Sequence, residues 1–162
     1  MWTNLTQIRR EQIVETKRDV LWEFMSNPNN LEKLTPEWML FKITSKPEKD
    51  MYAGMIISYK VTPILKIPMN WVTEITHVNK GLLFIDEQRF GPYKFWHHQH
   101  IFENHPKGVL MKDIITYAPP FSLFGAIANN LIIKKKIKNI FDFRESEINK
   151  IFNSKPATQQ IF

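Results

Sequence analysis

The chain has 162 residues, of which 43% are hydrophobic and 13% aromatic, and its net charge at pH 7 is +6. This length and composition fit one globular domain over residues 1–162 and exclude a disordered chain. The sequence has no cysteine, which excludes disulfides and thiolate metal ligands and favours a cytoplasmic location. No apolar run approaches the roughly 18 residues of a membrane span, so stable membrane insertion is not expected.

The positive charge is concentrated in a lysine-rich run at residues 134–138. A nucleic-acid surface gathers Lys and Arg in a stripe beside aromatic or glycine-rich segments, and the sequence does not have that arrangement. The run instead indicates the solvated side of a helix, so no nucleic-acid partner is expected. Contact with anionic lipid headgroups is the alternative.

The predicted elements begin with a strand over residues 5–15, where apolar and polar residues alternate. Asp19 predicts the N-cap of a short helix, and a second short helix ends near Leu34, before Pro36. Strand patterns recur near 38–45, 54–64, 69–79, 82–90, 94–103 and 109–118, with turn signals between them. Together these segments predict an antiparallel sheet of seven strands.

After residue 120 the apolar period changes to steps of three and four residues and their multiples, which predicts an amphipathic helix of about 28 residues. The apolar positions are Phe124, Ile127, Leu131, Ile137, Phe141, Ile148, Ile151 and Phe152. Such a stripe requires an apolar surface, which the concave face of a curved sheet supplies. The predicted fold class is α+β: a helix-grip fold with a seven-stranded antiparallel curved sheet wrapped on a long C-terminal helix, and two short helices after strand 1.

The segment DEQRFGPYKFWHHQHIF, residues 86–102, is the most distinctive part of the sequence. Trp96, His98, His100 and Phe102 recur at a period of two, which places all four side chains on one face of a strand. Two histidines on an apolar face predict a pocket that contains polar groups.

Strand register extends this face. A hairpin of 94–103 with 109–118 places His100 opposite Asp113, and a turn at 91–93 places Asp86 opposite His98 and Gln88 opposite Trp96. A shift of the strand pairing by one residue would bury several charged residues. The predicted cavity residues are Trp71, Phe84, Asp86, Gln88, Trp96, His98, His100, Phe102, Met111, Asp113, Ile115 and Tyr117.

Buried carboxylates and imidazoles need partners, because an unpaired polar group in an apolar site costs roughly 1 to 3 kcal/mol. One interpretation is a self-satisfied network, with His100 bonded to Asp113 and His98 to Asp86 or Gln88. The other leaves one edge of the network free to orient the polar head of a ligand.

The two histidines also have a metal and a catalytic interpretation. His-x-His with Asp113 as a third ligand can hold zinc or iron, but a structural network is the commoner arrangement, so no metal or other cofactor is predicted. An Asp-oriented histidine has the parts of a general acid–base catalyst. Because no nucleophile elbow or phosphate loop accompanies it, no catalytic residue is assigned.

The order of elements resembles the START-related (SRPBCC) superfamily of pollen-allergen-like proteins, lipid-transfer domains and polyketide cyclases. The amino-acid sequence is most similar to a bacterial subgroup of ligand-binding SRPBCC proteins, loosely labelled cell-division inhibitors. The resemblance covers nearly the whole chain and rests on Asn30-Leu31, Leu34-Thr35-Pro36, Gly54, Trp71, Ile75, Phe84, Asp86, Gln88, Gly91-Pro92-Tyr93, Trp96, His98, His100, Phe102, Asp113, Tyr117, Phe121, Ile140-Phe141 and Arg144. It implies a cavity between sheet and helix that holds an apolar ligand.

The predicted function is binding of a small, largely apolar molecule, lipid-like or polyketide-like, in that cavity. One alternative is a cyclase or hydrolase that uses a His–Asp acid–base pair. Another is a non-catalytic regulatory module whose protein partner the sequence does not identify.

Overall fold

The computed structural model of the chain describes residues 5–62, 67–119 and 126–153, and describes side chains from residue 132 onward in the last range. The strands are β1 (Thr6–Val14), β2 (Lys42–Ile43), β3 (Ile56–Val61), β4 (Met69–Asn79), β5 (Leu83–Phe90), β6 (Phe95–His105) and β7 (Gly108–Ala118). The helices are α1 (Arg18–Met25) and α2 (Ala126–Ile148), with 3-10 helices at Pro28–Leu34 and Glu37–Met39 and a π-helical turn at Asn149–Asn153.

The seven strands form one antiparallel sheet in the order β1-β7-β6-β5-β4-β3-β2. β1 pairs with β7, while the other strands pair with their neighbours in sequence. The predicted sheet of seven strands is therefore confirmed. Its curvature leaves a concave face that α2 covers, which is the predicted helix-grip arrangement.

The predicted β6–β7 register is confirmed, and the predicted β5–β6 register holds from Leu83 to Glu87. His100 lies opposite Asp113 in the β6–β7 pair, and Asp86 lies opposite His98 in the β5–β6 pair. The β6–β7 turn is tight, because His105 pairs directly with Gly108. Gly108 has a φ of 134°, and a Cβ there would lie 2.2 Å from the carbonyl oxygen of Val14, so only glycine fits the close approach of β1.

Two local predictions were wrong. The segment 38–45 is mostly not a strand, because Glu37–Met39 forms a 3-10 helix and Leu40 adopts a left-handed φ of 45°. Only Lys42–Ile43 pairs in the sheet. Asp19 is not the N-cap of α1: the helix begins at Arg18, and the Asp19 carboxylate accepts a hydrogen bond from the Val20 N–H within the first turn.

The buried face of α2 follows a helical period. Ile133, Ile137, Phe141, Arg144 and Ile148 are all at least nine-tenths buried, at steps of three and four residues. The predicted start of the helix at residues 124–125 lies outside the described residues, as do the side chains at 127 and 131.

The outer side of α2 carries the lysine run, as predicted: Lys134, Lys135 and Lys138 are exposed. Ile151, predicted on the apolar stripe, lies in the π-helical turn and is 45% exposed, because that turn shifts the side-chain period. Among the described residues, no helix combines the length and apolar character needed to cross a membrane.

Candidate ligand cavity and polar network

A cavity of about 150 Å³ lies between the concave face of the sheet, the Pro28–Leu34 helix and α2. Its wall is mostly apolar and aromatic. The apolar wall residues are Phe24, Met25, Pro28, Leu31, Leu34, Met39, Phe41, Met51, Ile57, Tyr59, Val61, Trp71, Ile75, Phe84, Tyr93, Trp96, Ile137, Ile140 and Phe141. The polar wall residues are Asn27, Asn30, Thr35, Thr73, Asp86, His98, His100 and Arg144.

The structure places the predicted cavity residues in two groups of six. Trp71, Phe84, Asp86, Trp96, His98 and His100 line the cavity. Gln88, Phe102, Met111, Asp113, Ile115 and Tyr117 do not. The division follows position along the sheet, because β4, β5 and the first half of β6 face the open space while most of β7 lies under packed helices.

Four residues of the second group are packing residues. Phe102 and Met111 belong to the core under α1, where Trp22 contacts the Phe102 ring edge-on at 5.6 Å. Ile115 and Tyr117 are fully buried in the cluster that includes Ile137 of α2. The alternation placed them on the inner face correctly, but a position on that face does not specify whether a helix covers it.

Gln88 instead holds the loop between β5 and β6. Its Nε2 donates to the carbonyl of Tyr93 at 2.7 Å, and its Oε1 accepts from the Tyr93 N–H at 3.2 Å. A Cβ at Gly91 would lie 2.5 Å from that same Oε1, so the glycine leaves room for the Gln88 side chain and its two hydrogen bonds. The regular pairing of β5 with β6 accordingly ends at Glu87 and His97, and Gln88 does not pair with Trp96.

The polar network consists of Asp86, His98, His100, Asp113 and Arg144. The Nε2 atom of His98 lies 2.9 Å from Oδ1 of Asp113, and Nε2 of His100 lies 2.7 Å from Oδ2 of Asp86. The two imidazole rings lie against each other, with centroids 3.7 Å apart. All members are buried except Asp86, whose side chain is 16% exposed.

The shortest bonds in this network run diagonally across the ladder, whereas directly opposite residues were predicted to bond. The opposite pairs lie farther apart, at 3.2 Å for His100 Nδ1 with Asp113 and 3.4 Å for His98 Nδ1 with Asp86. The physical reason is that the imidazole ring extends along the strand, so its Nε2 atom reaches the neighbour of the residue that it faces.

Arg144 reaches the network from α2. Its Nη2 lies 3.2 Å from Nδ1 of His100 and 3.8 Å from Oδ1 of Asp113. Asp113 lies in the middle of β7, so the guanidinium reaches a carboxylate in the interior of the sheet. The sequence carried a usable signal, since Arg144 falls on the stripe of Phe141 and Ile148.

The charges in the network shift the pKa values of its members. Burial alone would raise the pKa of Asp113, but Arg144 and the two histidines outweigh it and hold the pKa well below its usual value. Burial would also raise the pKa of Asp86, and the bond from His100 with the nearby charges lowers it overall. Burial lowers the pKa of His98 to about 4, assisted by His100 and opposed by the bond with Asp113. His98 is therefore a neutral imidazole at pH 7.

Residues of β3 and β4 add polar groups that we did not predict. The hydroxyls of Tyr59 and Thr73 form a hydrogen bond on the cavity wall. The indole Nε1 of Trp71 is buried and has no hydrogen-bond partner among the described residues. Thr73 could have been found from the sequence, because it lies between Trp71 and Ile75 at a period of two.

One group of side chains has the composition and spacing of a metal site. Single ligand atoms from Asp86, His98 and His100 all lie within 4.8 Å of one another. The third ligand in this group is Asp86, whereas the sequence suggested Asp113 for that position.

Comparison with known proteins identifies the fold. No family model matches the sequence, and no curated protein matches it in sequence. Solved structures do match, including protein CV1439 from Chromobacterium violaceum, with a TM-score of 0.70, 12% identity, and coverage of 92% of this chain and 99% of that one.

Two further solved structures match similarly. Ara h 8.0201 has a TM-score of 0.60 and 11% identity, over 91% of this chain and 99% of its own. The major latex-like protein 151 of Panax ginseng has a TM-score of 0.57 and 12% identity, over 85% of this chain and 95% of its own. At these identities the likeness concerns the fold alone: the chain has the helix-grip fold, as its sequence predicted.

Proposed function

We propose that the chain binds a small, largely apolar molecule in the cavity between its sheet and α2. The observation that carries the proposal is the cavity itself, a space of about 150 Å³ with an aromatic and aliphatic wall and a few polar groups. Binding sites for small molecules commonly combine these two properties, because apolar area supplies affinity and placed polar groups supply orientation.

The volume favours a compact ligand. A cavity of about this size lined by apolar side chains accommodates a molecule such as benzene. We therefore infer a ligand of one or two fused rings, closer to the polyketide-like than to the long-chain end of the predicted range. The unpartnered Nε1 of Trp71 supplies a donor for one carbonyl or hydroxyl oxygen of such a ligand.

A role as an acid–base enzyme has less support. His98 and His100 line the cavity beside carboxylates, which are the parts that the cyclase or hydrolase alternative requires. However, a general base works best when its pKa lies near the operating pH. A pKa of about 4 for His98 makes this imidazole a weak base at neutral pH.

The finer parts of the prediction belong to the same proposal. We infer that the chain is one of the ligand-binding SRPBCC proteins, because the residues that carry the resemblance act together in this chain. Gln88 holds the Gly91-Pro92-Tyr93 segment by two hydrogen bonds to Tyr93, and His98 and His100 belong to the polar network. A cytoplasmic location accords with the absence of cysteine from the sequence.

The experiment is a titration with 2-naphthol, a compact fluorescent probe, alongside a fluorescent long-chain fatty acid. We expect saturable binding of the naphthol and weaker binding of the fatty acid. Ile137→Phe, which adds volume at a fully buried wall residue, should weaken naphthol binding about tenfold, equivalent to about 1.4 kcal/mol.

The matched control is Ile132→Phe on the same helix, because Ile132 is 54% exposed and does not line the cavity. This control should bind naphthol like the unchanged protein. Absence of saturable binding, or an equal loss in both variants, would refute the proposal.

A further inference from the structure

The polar network holds two carboxylates and two imidazoles in one compact cluster. They make four nitrogen–oxygen contacts, of 2.7, 2.9, 3.2 and 3.4 Å. Each imidazole donates through its shortest contact to a carboxylate. The shortest contacts assign one proton to Nε2 of His98, donated to Asp113, and the other to Nε2 of His100, donated to Asp86.

Arg144 fills one of the two remaining contacts. With its proton on Nε2, His100 presents a lone pair at Nδ1, which accepts from the Arg144 guanidinium at 3.2 Å. The last contact has no such donor: the lone pair at Nδ1 of His98 faces Oδ2 of Asp86 at 3.4 Å. An imidazole nitrogen and a carboxylate oxygen are both metal-ligand atoms, and their spacing here is close to that of two ligands on one tetrahedral ion.

We propose that a divalent ion of the zinc or iron class binds between Asp86, His98 and His100. Nδ1 of His98 and Nε2 of His100 both face Oδ2 of Asp86, at 3.4 and 2.7 Å. Ligand atoms about 2.1 Å from a tetrahedral ion lie about 3.4 Å apart. The first distance already matches, and the second opens by less than 1 Å when the ion replaces the proton between the two atoms.

Asp113 supplies the outer support that such a site requires. Histidines that bind a metal through one ring nitrogen usually donate from the other nitrogen to a carboxylate, which fixes the ring. Asp113 lies 2.9 Å from the far nitrogen of His98 and 3.2 Å from that of His100. When the ion binds, the His100 proton moves from Nε2 to Nδ1, where Asp113 accepts it. Arg144 then gives up its hydrogen bond to that nitrogen and keeps its ion pair with Asp113.

The open coordination positions of this ion face the cavity. All three ligand residues line the cavity wall, whereas Asp113 lies behind them. Three protein ligands with open positions are typical of sites where a water or substrate atom completes the coordination. Imidazole ligands favour zinc and iron over magnesium and calcium.

The test uses the metal ions alone, so its outcome is independent of the apolar-ligand proposal. Chelator-treated protein is titrated with Co²⁺, whose visible absorption reports ligand geometry, and then with Zn²⁺ as a competitor and Fe²⁺ under anaerobic conditions. We expect one saturable equivalent for each of these ions and no binding of Mg²⁺. Imidazole signals in NMR spectra should shift for His98 and His100 when Zn²⁺ is added.

His97 provides the matched control, because it lies on the same strand, faces the other side of the sheet and contacts Glu87 at 2.8 Å. His98→Ala and Asp86→Asn should abolish the Co²⁺ spectrum, and His97→Ala should retain it. Asp113→Asn should weaken affinity about 10-fold to 100-fold without changing the stoichiometry.

Absence of a saturable Co²⁺ spectrum in the unchanged protein would overturn the proposal. Equal binding by the His97→Ala and His98→Ala variants would also overturn it. The NMR shifts of the unchanged protein decide the question if a variant does not fold.

Discussion

Replacing Asp113 with alanine should destabilise the fold by about 3 to 5 kcal/mol. The side chain is 4% exposed and balances the Arg144 guanidinium, which is itself 10% exposed. Its removal leaves a buried cation with one fewer counter-charge and leaves the N–H of His98 without its acceptor at 2.9 Å. Removing one member of a buried ion pair costs about this much because the other charge stays buried.

The assay is urea unfolding followed by circular dichroism, applied to a double-mutant cycle. Asp113→Ala and Arg144→Met are measured singly and together at pH 7 in the presence of a chelator. The double variant should be more stable than the sum of the single effects indicates, by about 1 to 3 kcal/mol, because both charges leave the buried site together. Asp113→Asn keeps an acceptor for His98 and should cost less than the alanine variant.

The control is Glu103→Ala, which removes a half-exposed carboxylate bonded by Lys112 on the same pair of strands. Such a surface pair contributes less than about 1 kcal/mol. Strict additivity in the Asp113 cycle, or a loss no greater than that of Glu103→Ala, would refute the coupled network and with it the description of Arg144 as a member.

The remaining predictions concern pH and the backbone. His98 has a pKa of about 4 when folded and about 6.5 when unfolded, so the unfolded chain binds more protons and stability falls as pH falls from 6.5 towards 4. In metal-free buffer the free energy of unfolding should fall by about 2 kcal/mol between pH 7 and pH 5. The His97→Ala variant should show the same fall and the His98→Gln variant a smaller one; a flat profile would contradict the assignment. Gly108→Ala should lower the melting temperature much more than Gly81→Ala. A Cβ at Gly108 meets the Val14 carbonyl, whereas a Cβ at Gly81, which has a φ of 80°, meets open space. Equal losses in the two variants would contradict the close approach of Val14 to Gly108.

The fold was predictable because several signals in the sequence agree. Period-two alternation predicts the strands, and a one-residue slip of β5 or β7 would bury Glu87 or Lys112. The segment 38–45 was not predictable in this way. Its apolar residues are typical of a strand, but Pro36 begins a 3-10 helix and the left-handed Leu40 ends it.

The site was predictable only in part, for a different reason. Alternation assigns a side chain to a face of the sheet, whereas cavity residues are those that the helices leave uncovered. Phe102 and Ile115 share a face with Trp96, yet α1 and α2 cover them. The contribution of Arg144 depends on the rotation of α2 over the sheet, which the stripe of buried residues indicates but pairing within the sheet does not.

The two proposals concern one cavity, because the three proposed metal ligands line the same space as Trp71. Nδ1 of His98 and Oδ2 of Asp86 belong to the part of the network that lines the cavity, whereas Asp113 does not line it. If both proposals hold, naphthol should bind more tightly to the zinc-loaded protein than to the chelated one, because its hydroxyl oxygen completes the coordination while the rings occupy the apolar wall. Equal naphthol affinity in the two forms, with one Zn²⁺ bound, would show that ion and ligand occupy separate parts of the cavity without contact.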